Sequence, residues 1–585
     1  MPLMGNLYIG SSGLQTAQNA LHTVSHNLAN VNTVGYTRQQ TVLGDKDYAT
    51  IGHSYISDQQ TGLGVTYEKV RQVRDAFLDK SYRKEAGRSA YYEASYNAAN
   101  EVTTLFGEME GVEFQTSLSN LWQSVQELAN NPTDATNQGM LVSVASQFLE
   151  RAHAIYDGLS NLQDNYNSQI LEKVNTINDY GQKIWNLNIS IQGIEAGKIE
   201  GKNIEEANDL RDQRNQLLDE LSALTKITYY EDAYGAMNVQ IEGKDFVTRT
   251  YVNPMDVEVD EQSGFYTPIW PRDADAPVYS FTREINSDLD TDIGELKALL
   301  ILRGEDRGTY LDIPQEPVAD DKSTWFTLNA NDEVVPASTY EEACAYYEDA
   351  CEYYNKHTGK SLLQNTMAEF DTLIHGIAVG INNVLNKRTD NGDGTSSVTG
   401  IDLFIRTGID SNHKQTTVIN EGADNVAGVN IEATRYTLAN LNINPLLLQN
   451  YTYLGSHSYD GGNTYETGFM TQDKQEDNEM ANALKQLFVD AKYSLNPTLN
   501  TKLSFTNYYT NLIGDVGEKG YVFKGVAEGL DNTVLSLDAS RQAIMGVSDS
   551  EELNNMIMYQ NAYNASSRYI NVINTLLETL INLGR

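Results

Sequence analysis

The sequence predicts a mainly α fold with β insertions (α+β). It is built on long antiparallel coiled-coil terminal helices and a helical bundle, with strand-rich outer segments. Three observations predict it. Apolar residues recur three and four apart in seams that run inward from both chain ends. Proline is absent between Pro2 and Pro132 and again after Pro497, so neither flank is forced to break. Tracts of short alternating segments, beginning near Ile227 and near Asn391, interrupt the helical middle.

At the amino end, Leu14, Ala17, Leu21, Val24, Leu28 and Val31 form the first seam. Asn30 and Asn32 suit its end, and Gly35 can take the positive φ that a reversal needs. Phe114, Leu118, Leu121, Val125 and Leu128 form a second seam, closed by the turn signal Asn130-Asn131-Pro132. A longer one runs through Ile170, Val174, Ile177, Tyr180, Ile184, Leu187, Ile191 and Ile194 to glycines at 193, 197 and 201. Leu210, Leu217, Leu218, Leu221 and Leu224 resume a helical stripe inside DLRDQRNQLLDEL.

ITYYED, a turn around Gly235, MNVQIEG and KDFVTR then read as strands joined by hairpins. Helices return at 292–303 and 362–387, separated by an acidic stretch containing EEACAYYEDACEYY. After the second strand-rich tract, helix is expected from about residue 473 to the end, with an interruption at Gly514 and Gly517. Met556, Tyr559, Tyr563, Ser566, Ile570, Ile573, Leu577 and Leu580 form the last seam.

With 585 residues the chain exceeds one core and suggests roughly three to five domains. The expected division is a terminal coiled-coil core of 1–45 with 545–585, and a helical bundle of 46–226 with 291–304, 361–390 and 471–544. A β-hairpin region at 227–290, an acidic insertion at 305–360 and a strand-rich outer domain at 391–470 complete it.

Charge narrows the function. The 41 basic and 80 acidic residues give a net charge of -39, which repels nucleic acid and anionic membrane. No nucleic-acid partner is expected. No apolar run approaches the roughly 18 residues a membrane span needs, so no membrane insertion is expected either. MPLMGNLYIG lacks the basic flank and apolar core of a secretory signal. Cys344 and Cys351 lie two helical turns apart, too far to bridge on one straight helix.

The ends are unusual in another way. Between Met1 and Gln40 the only charged side chain is Arg38, and from Leu553 to Arg585 only Arg568, Glu578 and Arg585 occur. Exposed helices of monomers normally carry a charged face. These ends are instead filled with amides and hydroxyls, and 7 of the last 33 residues are Asn. Asn is a mediocre helix former, so the isolated ends sit near the limit of helix stability. Their composition suits burial among neighbours, where a charge would suffer desolvation.

Catalytic, cofactor and metal signatures are incomplete. His22 and His26 have a zinc-compatible spacing but no third ligand nearby. DNGDGTSS at 390–397 has Ile401, not Glu, at the twelfth position from Asp390. TGLG at 61–64 lacks the third glycine of a dinucleotide fingerprint, and no nucleophile is paired with a histidine. The expectation is no enzyme, no cofactor and no catalytic or metal-binding residue.

HNLANVNTVGYTR at 26–38, preceded by SSGLQTAQNALHTVS, resembles the amino-terminal signature of bacterial flagellar axial proteins through Asn27, Asn30, Asn32, Gly35, Tyr36 and Arg38. TGLGVTYEKVRQVRDAFLDKSYRKE, LWQSVQELANNPTDATNQGMLV, DLRDQRNQLLDEL and GVSDSEELNNMIMYQNAYNASSRYINVINTLLETLINL extend the likeness to the hook-associated, hook-filament junction proteins. The resemblance covers most of the helical parts. The 391–468 tract is short beside the large outer domains of many members, and 304–360 has no recognised counterpart.

This resemblance implies a structural role at the hook-filament junction, outside the cell, needed for flagellin filament assembly. Implied partners are identical subunits in a ring, the hook protein, and the second junction protein on the filament side. It also implies type III flagellar export without a cleaved signal peptide, with a cytoplasmic export chaperone on the carboxyl-terminal helix. The expected assembly interface sets Leu14, Leu21, Val24, Leu28 and Val31 against Ile570, Ile573, Leu577 and Leu580. The alternatives are another axial or coiled-coil scaffold protein, or a junction protein with an enzymatic insertion.

Overall fold

The computed structural model describes residues 2–46, 48–53, 58–107, 114–195, 207–261, 263–320, 322–328, 334–385, 388–390, 396–398, 400–409, 415–418, 436–455, 469, 478–499 and 501–583. Among them the chain is mainly helical with small antiparallel sheets. Helix α1 covers Pro2–Ala29. Strand β1 (Gln39–Asp45) pairs with β4 (Val65–Gln72), and β2 (Tyr48–His53) pairs with β3 (Asp58–Gly62). Four helices follow: α2 (Ala76–Phe106), α3 (Phe114–Asn130), α4 (Ala135–Glu195) and α5 (Asn208–Leu224).

A three-stranded meander, β5 (Ile227–Glu231), β6 (Met237–Ile241) and β7 (Lys244–Val247), falls where the hairpins were expected, with Gly235 at φ +80. Beside it lie β8 (Asp256–Val259), β9 (Tyr266–Trp270) and β10 (Ala276–Pro277). Helix α6 (Glu295–Arg303) precedes the insertion, which holds β11 (Phe326–Leu328), β12 (Val334–Pro336) and α7 (Tyr340–Lys356). Helix α8 (Leu362–Leu385) leads into β13 (Arg388–Asp390), β14 (Ser396–Val398), β15 (Phe404–Ile409), β16 (Gln415–Val418) and β17 (Leu441–Ile443). Short α9 (Pro445–Gln449), α10 (Asn478–Val489), α11 (Phe505–Met545) and α12 (Asp549–Leu583) complete the order.

Chain-end helices pair with one another. Gly10 lies against Ile570 and Gly13 against Ser566, so α1 and α12 run antiparallel. Asp79 meets Arg541 and Ala99 meets Gly520, so α2 and α11 do the same. The common core draws on α2, α3, α4, α5, α6, α8, α10 and α11. At its centre Phe114 packs against Phe148, Phe370 and Tyr509, with ring centroids 5.3, 5.0 and 4.9 Å away. Such pairs add about 0.5–1.5 kcal/mol beyond their burial.

Three expectations are corrected. Residues 39–72, expected to be the end of the terminal core and the start of the helical bundle, form the strand pairs β1–β4 and β2–β3. The break in the carboxyl flank is the non-helical stretch 490–499 around Pro497 with 501–504, and α11 runs unbroken through Gly514 and Gly517. A helical glycine costs about 1 kcal/mol relative to alanine, and the packing of α11 along α2 outweighs that. The α4 seam also shifts by one residue: Gly181, Asn188 and Glu195 are buried beside Ile177, Ile184 and Ile191, while Ile194 is exposed.

Each shifted position has a reason. The Phe246 ring fills the space over Gly181. Asn188 donates to the Met237 carbonyl at 2.9 Å and accepts from its N–H at 3.0 Å, tying α4 to β6. Glu195 takes a two-pronged bond from Arg211 at 3.0 and 3.1 Å. Gly181→Ala places a methyl into the Phe246 ring and is expected to destabilise the bundle by about 1–3 kcal/mol in chemical denaturation. An unchanged midpoint would show that the ring yields freely.

Candidate assembly interface and neck

The α1–α12 pair is closer than a leucine seam allows. A Cβ on Gly10 would stand 2.8 Å from Ile570 Cγ1, and one on Gly13 would stand 2.8 Å from Ser566 Oγ. Small residues therefore set the spacing. The buried face of α1 reads Ser12, Thr16, Ala17, Ala20, Thr23, Val24 and Asn27. Its polar members serve the strands: the Val65 N–H donates to Ser12 Oγ at 3.3 Å, and Asn27 bonds both the N–H and the carbonyl of Gln39. The turn at Gly64, with φ +100, sits directly on Ser12 and Ile9. The helix is thus covered by α12 and by the β1–β4 pair.

Of the expected interface, Val24 and Ile573 are buried at 4% and 3% exposure. Leu14, Leu21, Leu28, Val31, Ile570 and Leu577 are half-buried beside that line. Leu580 is 57% exposed. It belongs to a second apolar stripe on α12, formed with Tyr569, Val572, Leu576 and Leu583, all exposed and spaced three and four apart.

The motif at 26–38 folds into an elbow. Asn27 Oδ1 accepts from Tyr36 Oη at 2.8 Å and from the Gln39 N–H at 3.0 Å, while its Nδ2 donates to the Gln39 carbonyl at 2.9 Å. Asn30 Nδ2 donates to the His26 carbonyl at 3.0 Å, and its Oδ1 accepts from Thr33 at 3.1 Å. Gly35 takes φ +80 beside Gln216, the left-handed position its sequence context requires. Asn32 is exposed in the loop. Arg38 donates its N–H to the Met545 carbonyl at 2.8 Å and its guanidinium to Glu551 at 2.8 Å. Burial, then Asp209 and Asp212, raise the Tyr36 hydroxyl pKa, so it stays a donor.

Behind the elbow lies a network of alternating charge. Arg541 reaches Asp79 at 2.9 Å and Asp219 at 2.7 Å, with its guanidinium 4.1 Å above the Tyr82 ring. Arg83 holds Asp219 at 2.6 Å. Arg74 forks onto Asp79 with two bonds of 3.0 Å and lies 3.8 Å from Asp212. Burial pushes the Asp79 carboxyl up, but Arg74, Arg83 and Arg541 together hold it below the usual range. Asp212 accepts from the buried Thr37 N–H at 3.1 Å and from Gln72 at 2.7 Å. Its burial outweighs these bonds and pushes it up to about 6.

Sequence reasoning missed this network as a site. A signal existed: Arg541 is the lone basic residue between Lys524 and Arg568, and Asp212 and Asp219 lie one heptad apart. His26 faces Asp209 at 3.4 Å and the Tyr36 ring edge, and His22 is exposed. Cys344 and Cys351 are free thiols. Residues 391–395 of the DNGDGTSS stretch lie outside the described residues. Among the described residues no cluster of three or more His, Cys, Asp or Glu is placed to hold a metal, and no helix is long and apolar enough to cross a membrane.

Comparison with known proteins places this architecture. Residues 99–316 match the family described as flagellar hook-associated protein FlgK helical domain, and residues 7–37 match flagella basal body rod protein. The flagellar hook-associated protein 1 of Bacillus subtilis (strain 168) is 24% identical over 594 residues, covering 97% of each chain. That of Salmonella typhimurium is 23% identical over 590 residues, and that of Escherichia coli (strain K12) 24% over 607, each covering 98% of both chains. The solved flagellar hook junction protein FlgK from Burkholderia pseudomallei aligns with a TM-score of 0.48 at 13% identity, over 80% of this chain and 100% of that one.

Residues 7–37, which include α1 and most of the elbow, and the helical residues 99–316 thus match structural proteins of the bacterial flagellum. Within that class the relatives matched over nearly the full length are flagellar hook-associated proteins 1, at 23–24% identity.

The charge network yields two predictions. Arg541→Met leaves Asp79 and Asp219 without their shared cation, each keeping one guanidinium, and is expected to cost about 1.5–3 kcal/mol, read by denaturant unfolding. A loss within the scatter of surface variants would contradict the shared-cation reading. The Asp212 carboxyl binds its proton more tightly folded, at about 6, than at its ordinary 3.8. Its contribution is therefore full below about pH 4 and is lost as pH rises through about 6. Asp212→Asn is expected to flatten the stability profile across that window by on the order of 1–3 kcal/mol, and an unaltered profile would refute the assignment.

Proposed function

We propose that the chain is the structural junction joining the flagellar hook to the filament. It forms a ring of identical subunits between the hook protein and the second junction protein, on which flagellin filament assembly depends. The observation that carries this reading is the terminal helix pair. Helix α12 places one apolar line against α1 and keeps a second, from Tyr569 to Leu583, exposed. An exposed stripe of that length on a nearly uncharged helix needs a partner. Neighbouring copies supply one in a closed heterologous ring.

In this reading Leu14, Leu21, Val24, Leu28 and Val31, with Ile570, Ile573, Leu577 and Leu580, work at two levels. Val24 and Ile573 close the pair within a subunit, and Leu580 belongs to the face offered to the next one. The segment from about Leu553 to Leu580 is the one a cytoplasmic export chaperone covers before assembly, as an apolar helix is covered in a groove. The protein travels through the flagellar export apparatus without a cleaved signal peptide and works outside the cell. The role needs no catalytic residue, cofactor or metal.

Cells lacking the protein test this directly. Hooks without filaments, and flagellin released into the medium, are expected; normally attached filaments would overturn the junction role. Leu577→Asp, which buries an unpaired charge between α1 and α12, is expected to abolish incorporation into flagella while the bundle stays folded. Normal filament growth from that variant would reject Leu577 as an interface position.

A further inference from the structure

Two segments are rooted on α8. The acidic insertion leaves through residues 305–313, and the strand-rich tract departs at Leu403–Phe404 and returns at 436–444. Asn382 on α8 fixes the departure, accepting from the N–H groups of Leu403 and Phe404 at 3.0 Å each and donating to the Phe404 carbonyl at 2.7 Å. The return is fixed three turns earlier on the helix, at Asp371.

Asp371 is shared. One carboxylate oxygen accepts the Tyr310 N–H of the insertion root at 2.9 Å, and the other accepts the Leu438 N–H of the returning tract at 2.7 Å. One turn on, His375 repeats the arrangement. Its Nδ1 faces the Tyr436 carbonyl at 2.9 Å, and its ring stacks on Tyr310 with centroids 3.7 Å apart and planes 9° from parallel. A carbonyl only accepts, so Nδ1 carries the hydrogen. Asp371, Tyr436 and Leu438 are each about 1% exposed.

We propose that Asp371 and His375 form a clasp that couples the roots of the acidic insertion and the strand-rich tract, so that the two segments open together and not separately. The coupling comes from sharing one buried carboxylate. If either segment lifts, Asp371 loses half of its backbone donors while still buried, and the remaining bond then supports a poorly solvated charge. Burial already pushes this carboxyl up to about 7, against the two N–H groups that hold it down. The stacked Tyr310 and His375 rings tie the same two segments a second time. Partner contact on one segment would thereby be felt at the root of the other. This inference is independent of the hook-filament role.

Hydrogen exchange with mass spectrometry on the full chain tests it. In Asp371→Asn only one side-chain acceptor remains, and peptides covering 305–313 and 436–444 are both expected to exchange at least about tenfold faster, with α3 and α4 unchanged. His375→Phe keeps the ring on Tyr310 but removes the bond to Tyr436. It is expected to speed exchange at 305–313 as well as at 436–444. Faster exchange of one segment alone, or of neither, in either folded variant would overturn the clasp. If Asp371→Asn does not fold, His375→Phe decides.

Discussion

Arg541 occupies the point on which the rest of the molecule depends. It is one of few cations in the carboxyl flank, and it sits between two carboxylates brought from positions 79 and 219. Buried ions are costly, and this cluster is tolerable because each carboxylate has a second guanidinium partner: Arg74 for Asp79 and Arg83 for Asp219. Helices α2, α5 and α11 are thereby fixed to one another at a single level. Asp212, also on α5, then carries the connection to Thr37 and so to the elbow that launches α1. The base of the terminal helix pair is thus tied to charges on α2, α5 and α11.

The pair itself follows a different logic. Glycine, alanine, serine and threonine on α1 let α12 approach closely, and the strand pair β1–β4 covers a further face. Apart from Val24 and Ile573, the larger aliphatic side chains line the margins or face outward. An absence of charge costs solubility in a free monomer, yet it removes the desolvation penalty when helices from several subunits pack together. Charge-poor ends and a heavily acidic body are thus two halves of one design under the proposed ring: assembly would bury the ends and leave the body solvated.

Much of this was legible in the sequence because it is local. Three- and four-residue spacing marked the bundle helices, the hairpin alternation marked β5 to β7, and Gly35 announced its own left-handed turn. The motif at 26–38 marks the elbow, whose bonds join Asn27 to Tyr36 and Gln39. Failures occurred where distant partners decide. QQTVLGD and VTYEKVRQ become strands because they pair across an intervening hairpin and lie on α1. Gly181, Asn188 and Glu195 replace apolar neighbours in the α4 seam because Phe246, Met237 and Arg211 await them. Gly514 and Gly517 are helix-breaking signals that packing against α2 overrides.

The central claim, proposed above, is that the exposed stripe of α12 is an interface between subunits. Electron cryo-microscopy of intact hook-filament junctions measures this most directly. The account predicts Val572, Leu576 and Leu580 packed against the terminal helices of an adjacent subunit, with the Arg541 network preserved. Density in which those side chains face water, with each α1–α12 pair standing apart from its neighbours, would contradict it.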